Sequence, residues 1–231
     1  ASAILTFSGS STTTIGSITM ASATTAGGTA TAVLNLNGGS ITLGGAITRA
    51  GGAGTSTATV TLNGATLDMG GNAIGSLSNT ITFTAQSGIL KNVASINGTT
   101  GGLTKTGTGT LELQGGNGYG GATVVSAGTL KIATLTNGGA TSTLGSSSNA
   151  AANLVINGGT LQYTGATTTT DRLFSVGTAT GSVIDASGSG TVKFTNTGSM
   201  GFNSQLGART LTLTGTNTGE NSIAAVIGDN S

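Results

Sequence analysis

Three stretches of this chain repeat one grammar: an alternating strand, an Asn-Gly corner, a second alternating strand and a glycine stop. They are residues 32–45 (AVLNLNGGSITLGG), 59–71 (TVTLNGATLDMGG) and 153–165 (NLVINGGTLQYTG). Alternation with period two marks strands that show one face to a core and the other to water. Asn and Gly both accept positive φ, so Asn37-Gly38, Asn63-Gly64 and Asn157-Gly158 mark tight bends. An Asn-Gly pair between alternating strands is also the usual signature of a β-hairpin, which would give a sandwich or barrel. The spacing favours the other reading. The step along the chain from Asn37 to Asn63 suits one turn of a parallel β-helix. The glycine pairs that close the copies are stops a hairpin would not need.

The composition fits stacked rungs. Threonine fills 47 of the 231 positions and glycine 43, and proline is absent. Threonine keeps β-propensity while facing water, and a ladder has no place for a residue without an N–H. A disordered linker would share the glycine but not the recurrent Leu, Ile and Val or the mean hydropathy of +0.24. In a β-helix each strand bonds its equivalent one rung away, about 4.8 Å distant. Rungs of about 20 to 26 residues would give roughly 9 to 11 turns and a rod on the order of 50 Å long. Inward columns would stack aliphatic side chains, and corner asparagines could stack as amide ladders. Further alternating segments are 80–84, 129–132, 182–185, 191–195 and 210–214. The glycine-, serine- and alanine-rich pieces 21–30, 50–58, 137–152 and 165–170 read as loops bulging from the rungs. Residues 221–227 are the nearest helix candidate and suit a strand equally well.

The clearest unit is residues 101–132, GGLTKTGTGTLELQGGNGYGGATVVSAGTLKI. It resembles the repeat of autotransporter passenger domains, written around a Gly-Leu-Thr-Lys-x-Gly-x-Gly-Thr-Leu-x-Leu core. Segments 171–174, 184–188 and 211–221 resemble the stretches that separate such repeats, and 227–230 resembles the lead-in to another copy. Residues 1–100 are similar more loosely. The chain thus reads as one continuous all-β solenoid: loosely matching rungs over 1–100, the repeat over 101–132 and inter-repeat rungs over 133–231. Where the family has Tyr-Thr-Gly this chain has Asn117-Gly-Tyr-Gly-Gly121, and the extra glycines are expected to loosen that corner. The resemblance implies a right-handed parallel β-helix carried to the bacterial surface through a translocating barrel outside this chain. A cysteine-free chain suits passage across a membrane in an unfolded state, again by that implication.

The inventory for chemistry is short. Histidine and cysteine are absent, which removes the usual zinc and transition-metal ligands, and no Gly-Gly-x-Gly-x-Asp run offers a calcium site. No metal or cofactor is therefore expected. Six carboxylates exist: Asp68, Glu112, Asp171, Asp185, Glu220 and Asp229. Asp171 and Asp185 with Arg172 are the nearest thing to a glycosidase pair. The two carboxylates stand less than one rung apart along the chain, which puts them on different faces. An exposed ion pair between Asp171 and a neighbouring arginine is the plainer expectation. Ser126 has no base to activate it. The glycines of 116–121 precede a strand, not a helix, and so read as a corner and not a phosphate cradle. Asn97-Gly-Thr99 fits the short glycan-acceptor pattern. No catalytic, cofactor-binding or metal residue is assigned.

The seven cations, Arg49, Lys91, Lys105, Lys131, Arg172, Lys193 and Arg209, are scattered, and the net charge is +1. Nucleic acid is therefore not an expected partner. No apolar run is long enough to span a bilayer as a helix, and Ala1 opens no signal peptide. The chain is expected to be an internal piece of a longer, extracellular protein whose export signal and anchor lie elsewhere. The leading functional expectation is a non-catalytic adhesive rod or spacer, with neighbouring repeats, other copies or a cell-surface ligand as partners. A filament subunit joined end to end through open rungs is the alternative. A polysaccharide-binding or -cleaving β-helix is a third. It would need Tyr119 or Tyr163 as exposed platforms, while Phe7, Phe83, Phe174, Phe194 and Phe202 are expected to fill the core.

Overall fold

A computed structural model describes residues 1–228. Asp229 and the end of the expected lead-in at 227–230 lie outside the described residues. Every pairing between named strands is parallel, in one 17-stranded and one three-stranded sheet. The hairpin reading therefore fails and the solenoid stands. The only antiparallel contact among the described residues is the single bridge between Asn117 and Ser142. Among the described residues, helix is confined to one 3-10 turn at Ala151–Asn153.

The chain winds past three faces. On the first, Ser2–Phe7 pairs with Thr29–Leu36, which pairs with the start of Thr55–Ile74. On the second, nine strand segments stack from Thr12–Ile15 to Leu211–Thr214, which sets about nine turns and a rod of about 40 Å. Strands Thr55–Ile74 and Thr82–Ile96 run through all three faces, with register shifts where they bend. The third face begins with Ile18–Met20 and ends with Thr168–Thr170, Val192–Phe194 and Ser222–Ile223.

Inward positions form continuous columns. Ile18, Ile47, Ile74 and Ile96 stack on the third face. Leu67, Leu90, Leu113, Ile132 and Tyr163 stack on the second. Each of the latter is at most 4% exposed. Such columns form because parallel, in-register strands place equivalent side chains one rung apart, so a leucine meets a leucine without interdigitation.

The period is less regular than the sequence suggests. Leu111 pairs with Leu130 and Leu130 with Leu161, so the second of these turns takes far more chain than the first. Loop length absorbs the difference, since strand pairing constrains only the strands. The loop boundaries shift too. Residues 29–30, 55–58 and 168–170 belong to strands. Residues 137–152 do not simply bulge, because Ser142, Thr143, Leu144 and Ser147 are buried. Positive φ falls on Gly39, Gly64 and Gly158 and not on the asparagines before the corners. An asparagine ladder is not what holds those corners. Ser87 Oγ donates to Asn63 Oδ1 at 2.9 Å, and Asn157 Oδ1 accepts from the Ala179 N–H at 3.0 Å.

Candidate functional site

The charged groups are committed to holding rungs together, in two ways. Three lysines pair with carboxylates on the next rung: Lys91 with Asp68 at 3.2 Å, Lys131 with Glu112 at 3.0 Å and Lys193 with Glu220 at 2.7 Å. Glu112, Lys131, Gln162 and Asp185 form one outward column on the second face, and Gln162 Nε2 donates to Asp185 at 2.8 Å. The Gln114 amide, then Lys131, hold the Glu112 carboxyl below its ordinary value. Partial burial would raise Asp68, but the Asn92 amide, the Gly70 N–H and Lys91 outweigh it and lower that carboxyl. Exposed pairs of this kind contribute under about 1 kcal/mol each, so their main effect is on register, where like charges would repel.

The remaining four cations bond main-chain carbonyls instead. Arg49 donates to the carbonyls of Thr80, Ser56 and Ser78. Arg209 donates to those of Val176, Gly207, Phe202 and Gln205, with its guanidinium 4.8 Å from the Phe202 ring centre. Phe202 thus stacks under a cation and does not fill the core. Arg172 is 2% exposed and reaches the Thr136 carbonyl at 3.2 Å, the Ser147 carbonyl at 3.0 Å and the Gly145 carbonyl at 3.2 Å. This corrects the expected exposed ion pair: Asp171 turns away to the Gly138 N–H at 2.8 Å and the Asn149 amide at 3.0 Å. Corner carbonyls have no strand partner, so a guanidinium with five donors satisfies several at once.

Lys105, the lysine of the repeat motif, takes an inward position between Ala85 and Val125 and is fully buried. Its Nζ donates to the carbonyls of Thr106 at 2.6 Å, Gly107 at 2.7 Å and Ala127 at 3.0 Å. Burial pushes the ammonium down to about 8. The three carbonyls oppose that shift, since a neutral amine has one hydrogen fewer to offer them. A depressed lysine value means the native state sheds the proton before the unfolded chain does. Between about pH 8 and the ordinary lysine value, native stability therefore rises with pH; below about 8 the full cost of the buried charge remains. Chemical denaturation from pH 7 to 10 should show this rise in the wild type relative to Lys105→Met. A constant difference between the two would refute it.

The corner at 116–121 is a buried pin and not a loose turn. Asn117 and Tyr119 are both fully buried. Asn117 Oδ1 accepts from the Val93 N–H at 3.0 Å, and its Nδ2 donates to the Thr143 carbonyl at 3.0 Å, so one side chain ties three successive turns. The Tyr119 hydroxyl lies 3.0 Å from Thr123 Oγ1, and burial raises its pKa. A Cβ on Gly118, Gly120 or Gly121 would stand 2.3 to 2.7 Å from the carbonyls of Ala94, Thr99 and Thr100. These glycines bring the corner closer to the preceding rung, the reverse of the expected loosening. With Tyr163 4% exposed as well, neither tyrosine is a surface platform.

The other sequence candidates are placed as follows. Asp185 bonds Gln162 and Ser187, none of them a partner of Asp171. The Asn97 amide is engaged with the main chain of Ile81, at 2.8 Å to the N–H and 2.9 Å to the carbonyl. Phe174 and Phe194 meet edge to face at 5.6 Å in the core, while Phe7 and Phe83 are partly buried against it. No cluster of three or more acidic, histidine or cysteine side chains occurs among the described residues. No helix of the described residues is long and apolar enough to cross a membrane. The buried roles of Lys105 and Arg172 escaped sequence reasoning. For Lys105 a signal existed, because it falls in the alternation where a leucine or valine belongs.

Comparisons with known proteins agree with this architecture. The passenger-associated-transport-repeat family model matches residues 103–132 and 204–225. The second match covers part of a stretch read from sequence as a separator, so a second copy lies there. The chain is 42% identical over 131 residues, 56% of its length, to the adhesin BmaC autotransporter of Brucella suis biovar 1 (strain 1330). It spans about 4% of that relative's length. No solved structure matches it significantly. The chain is thus a parallel β-solenoid that carries two matches to the passenger-associated-transport repeat and is similar over part of its length to an autotransporter adhesin.

Proposed function

We propose that the chain is a non-catalytic, adhesive segment of an extracellular bacterial stalk, one continuous stretch of rungs within a longer passenger. The observation that carries this is the commitment of the charged side chains to neighbouring rungs, which leaves the described surface chemically plain. The 42% identity to a protein named as an autotransporter adhesin supports the adhesive part. Each rung is stabilised by its neighbours, so such a rod lengthens without a new core. Its partners on this reading are neighbouring rungs and a surface ligand.

Two measurements test it. Negative-stain microscopy across a concentration series should show discrete rods about 40 Å long. Continuous fibres would favour the filament reading instead. Beads coated with the folded chain should bind bacterial or host cells better than beads coated with Leu111→Asp protein. Equal binding would leave a spacer with no adhesive role.

A further inference from the structure

The first four rungs of the first face carry no charge, and Lys105, on the next rung of that face, points inward and is fully buried. In those four rungs, strands Ser2–Phe7 and Thr29–Leu36, with residues 55–62 and 82–85, contain no acidic or basic residue. Arg49, at their edge, is spent on the carbonyls of Ser56, Ser78 and Thr80. The outward positions are mostly threonines in register: Thr29 over Thr55, Thr31 over Thr57, Thr59 over Thr82, and Thr6, Asn35, Thr61 and Thr84 in one column. Val33 and Ile4 extend the column of Thr59 with further methyls. Thr57 Oγ1 donates to Thr31 Oγ1 at 3.1 Å, and Asn35 Nδ2 to Thr6 Oγ1 at 3.3 Å. The result is a lattice of hydroxyls and methyls about 4.8 Å apart along the rod and about 6.6 Å apart along each strand.

The candidate occupants narrow quickly. Polyanions and anionic membranes need cations that this face lacks. Sugar rings stack on exposed aromatics, but Phe7 and Phe83 pack inward against the core. Four rungs of four to eight residues offer on the order of 400 Å², short of the roughly 800 Å² per partner that a stable protein complex uses. An uncharged, flat and periodic face fits a solid that is itself neutral, flat and periodic. Each threonine hydroxyl can both donate to and accept from water, and its methyl confines the water beside it. The backbone ladder fixes the spacing, so ordering that water layer costs the protein little further backbone entropy.

We infer that the threonine face of residues 29–84 binds the surface of ice. This goes beyond the stalk reading, since it needs only the rungs and not their display on a cell. The test is growth of single ice crystals, and recrystallisation of fine ice, in solutions of the purified chain. Faceted crystals and arrested grain growth are expected. The double variant Thr57→Lys/Thr82→Lys should abolish both, and Thr57→Val should weaken them while keeping the strand. Thr14→Lys, on the second face, should leave both intact, with circular dichroism confirming each fold. Ordinary disc growth with the wild type would overturn the inference. So would faceting that survives the double variant, or chain retained on crystalline cellulose but not on ice.

Discussion

Leu111→Asp is expected to unfold the middle of the rod, at a cost above about 4 kcal/mol. Leu111 is fully buried in the column of Leu130, Leu161 and Ile184, with Gly88 on its other side. A carboxylate there has neither water nor a cation, and the aliphatic neighbours offer it no hydrogen bond. A solenoid has no distant core to compensate, so the adjoining rungs lose their templates as well. Hydrogen exchange should show protection lost from roughly Thr82 to Tyr163 before it is lost elsewhere. Thr110→Ser, one residue away on the outer face, should change stability by only a few tenths of a kcal/mol. Similar effects from the two substitutions would sink the inward and outward assignment.

Arg172→Met should cost on the order of 2–3 kcal/mol. The methionine keeps much of the apolar stem but removes the charged donor shared by the carbonyls of Thr136, Gly145 and Ser147, each of which keeps one neutral donor, from Thr170 Oγ1, Ser142 Oγ and the Gly139 N–H. Residues 137–150 should then exchange their amides faster and become a protease site, while strands Leu103–Lys105 and Thr110–Gln114 stay protected. Arg172→Lys should lose less, though more than a surface exchange would, because one ammonium nitrogen cannot span carbonyls that Arg172 reaches with Nε, Nη1 and Nη2 separately. If Arg172→Met matched wild type in chemical denaturation, the guanidinium would not be what closes this loop.

These two residues show where the sequence could be read and where it could not. Leu111 sits in a Thr-Leu-Glu-Leu alternation whose period assigns its side without any knowledge of neighbours. Arg172 follows Asp171 in a segment with no alternation, and sequence alone suggested a solvent-exposed pair. Its carbonyl partners lie 25 to 36 residues back, across a loop whose path no local rule fixes. The corner glycines were misjudged for the same reason. Seen alone they add freedom, but against the preceding rung they are needed because a Cβ would strike a carbonyl.

What the chain settled by itself is the solenoid: period-two alternation, Asn-Gly corners one rung apart, an absence of proline, and a repeat motif that a family model also finds. Those signals are local, and stacking repeats them, so reading one rung reads most of them. What only the tertiary structure decided is how each charge is used and how long each rung is. Those depend on which carbonyls a corner leaves unpaired beside which side chain. The decisive contacts, Lys105 to Ala127 and Arg172 to Thr136, join residues 22 and 36 positions apart, through loops that carry no period of their own.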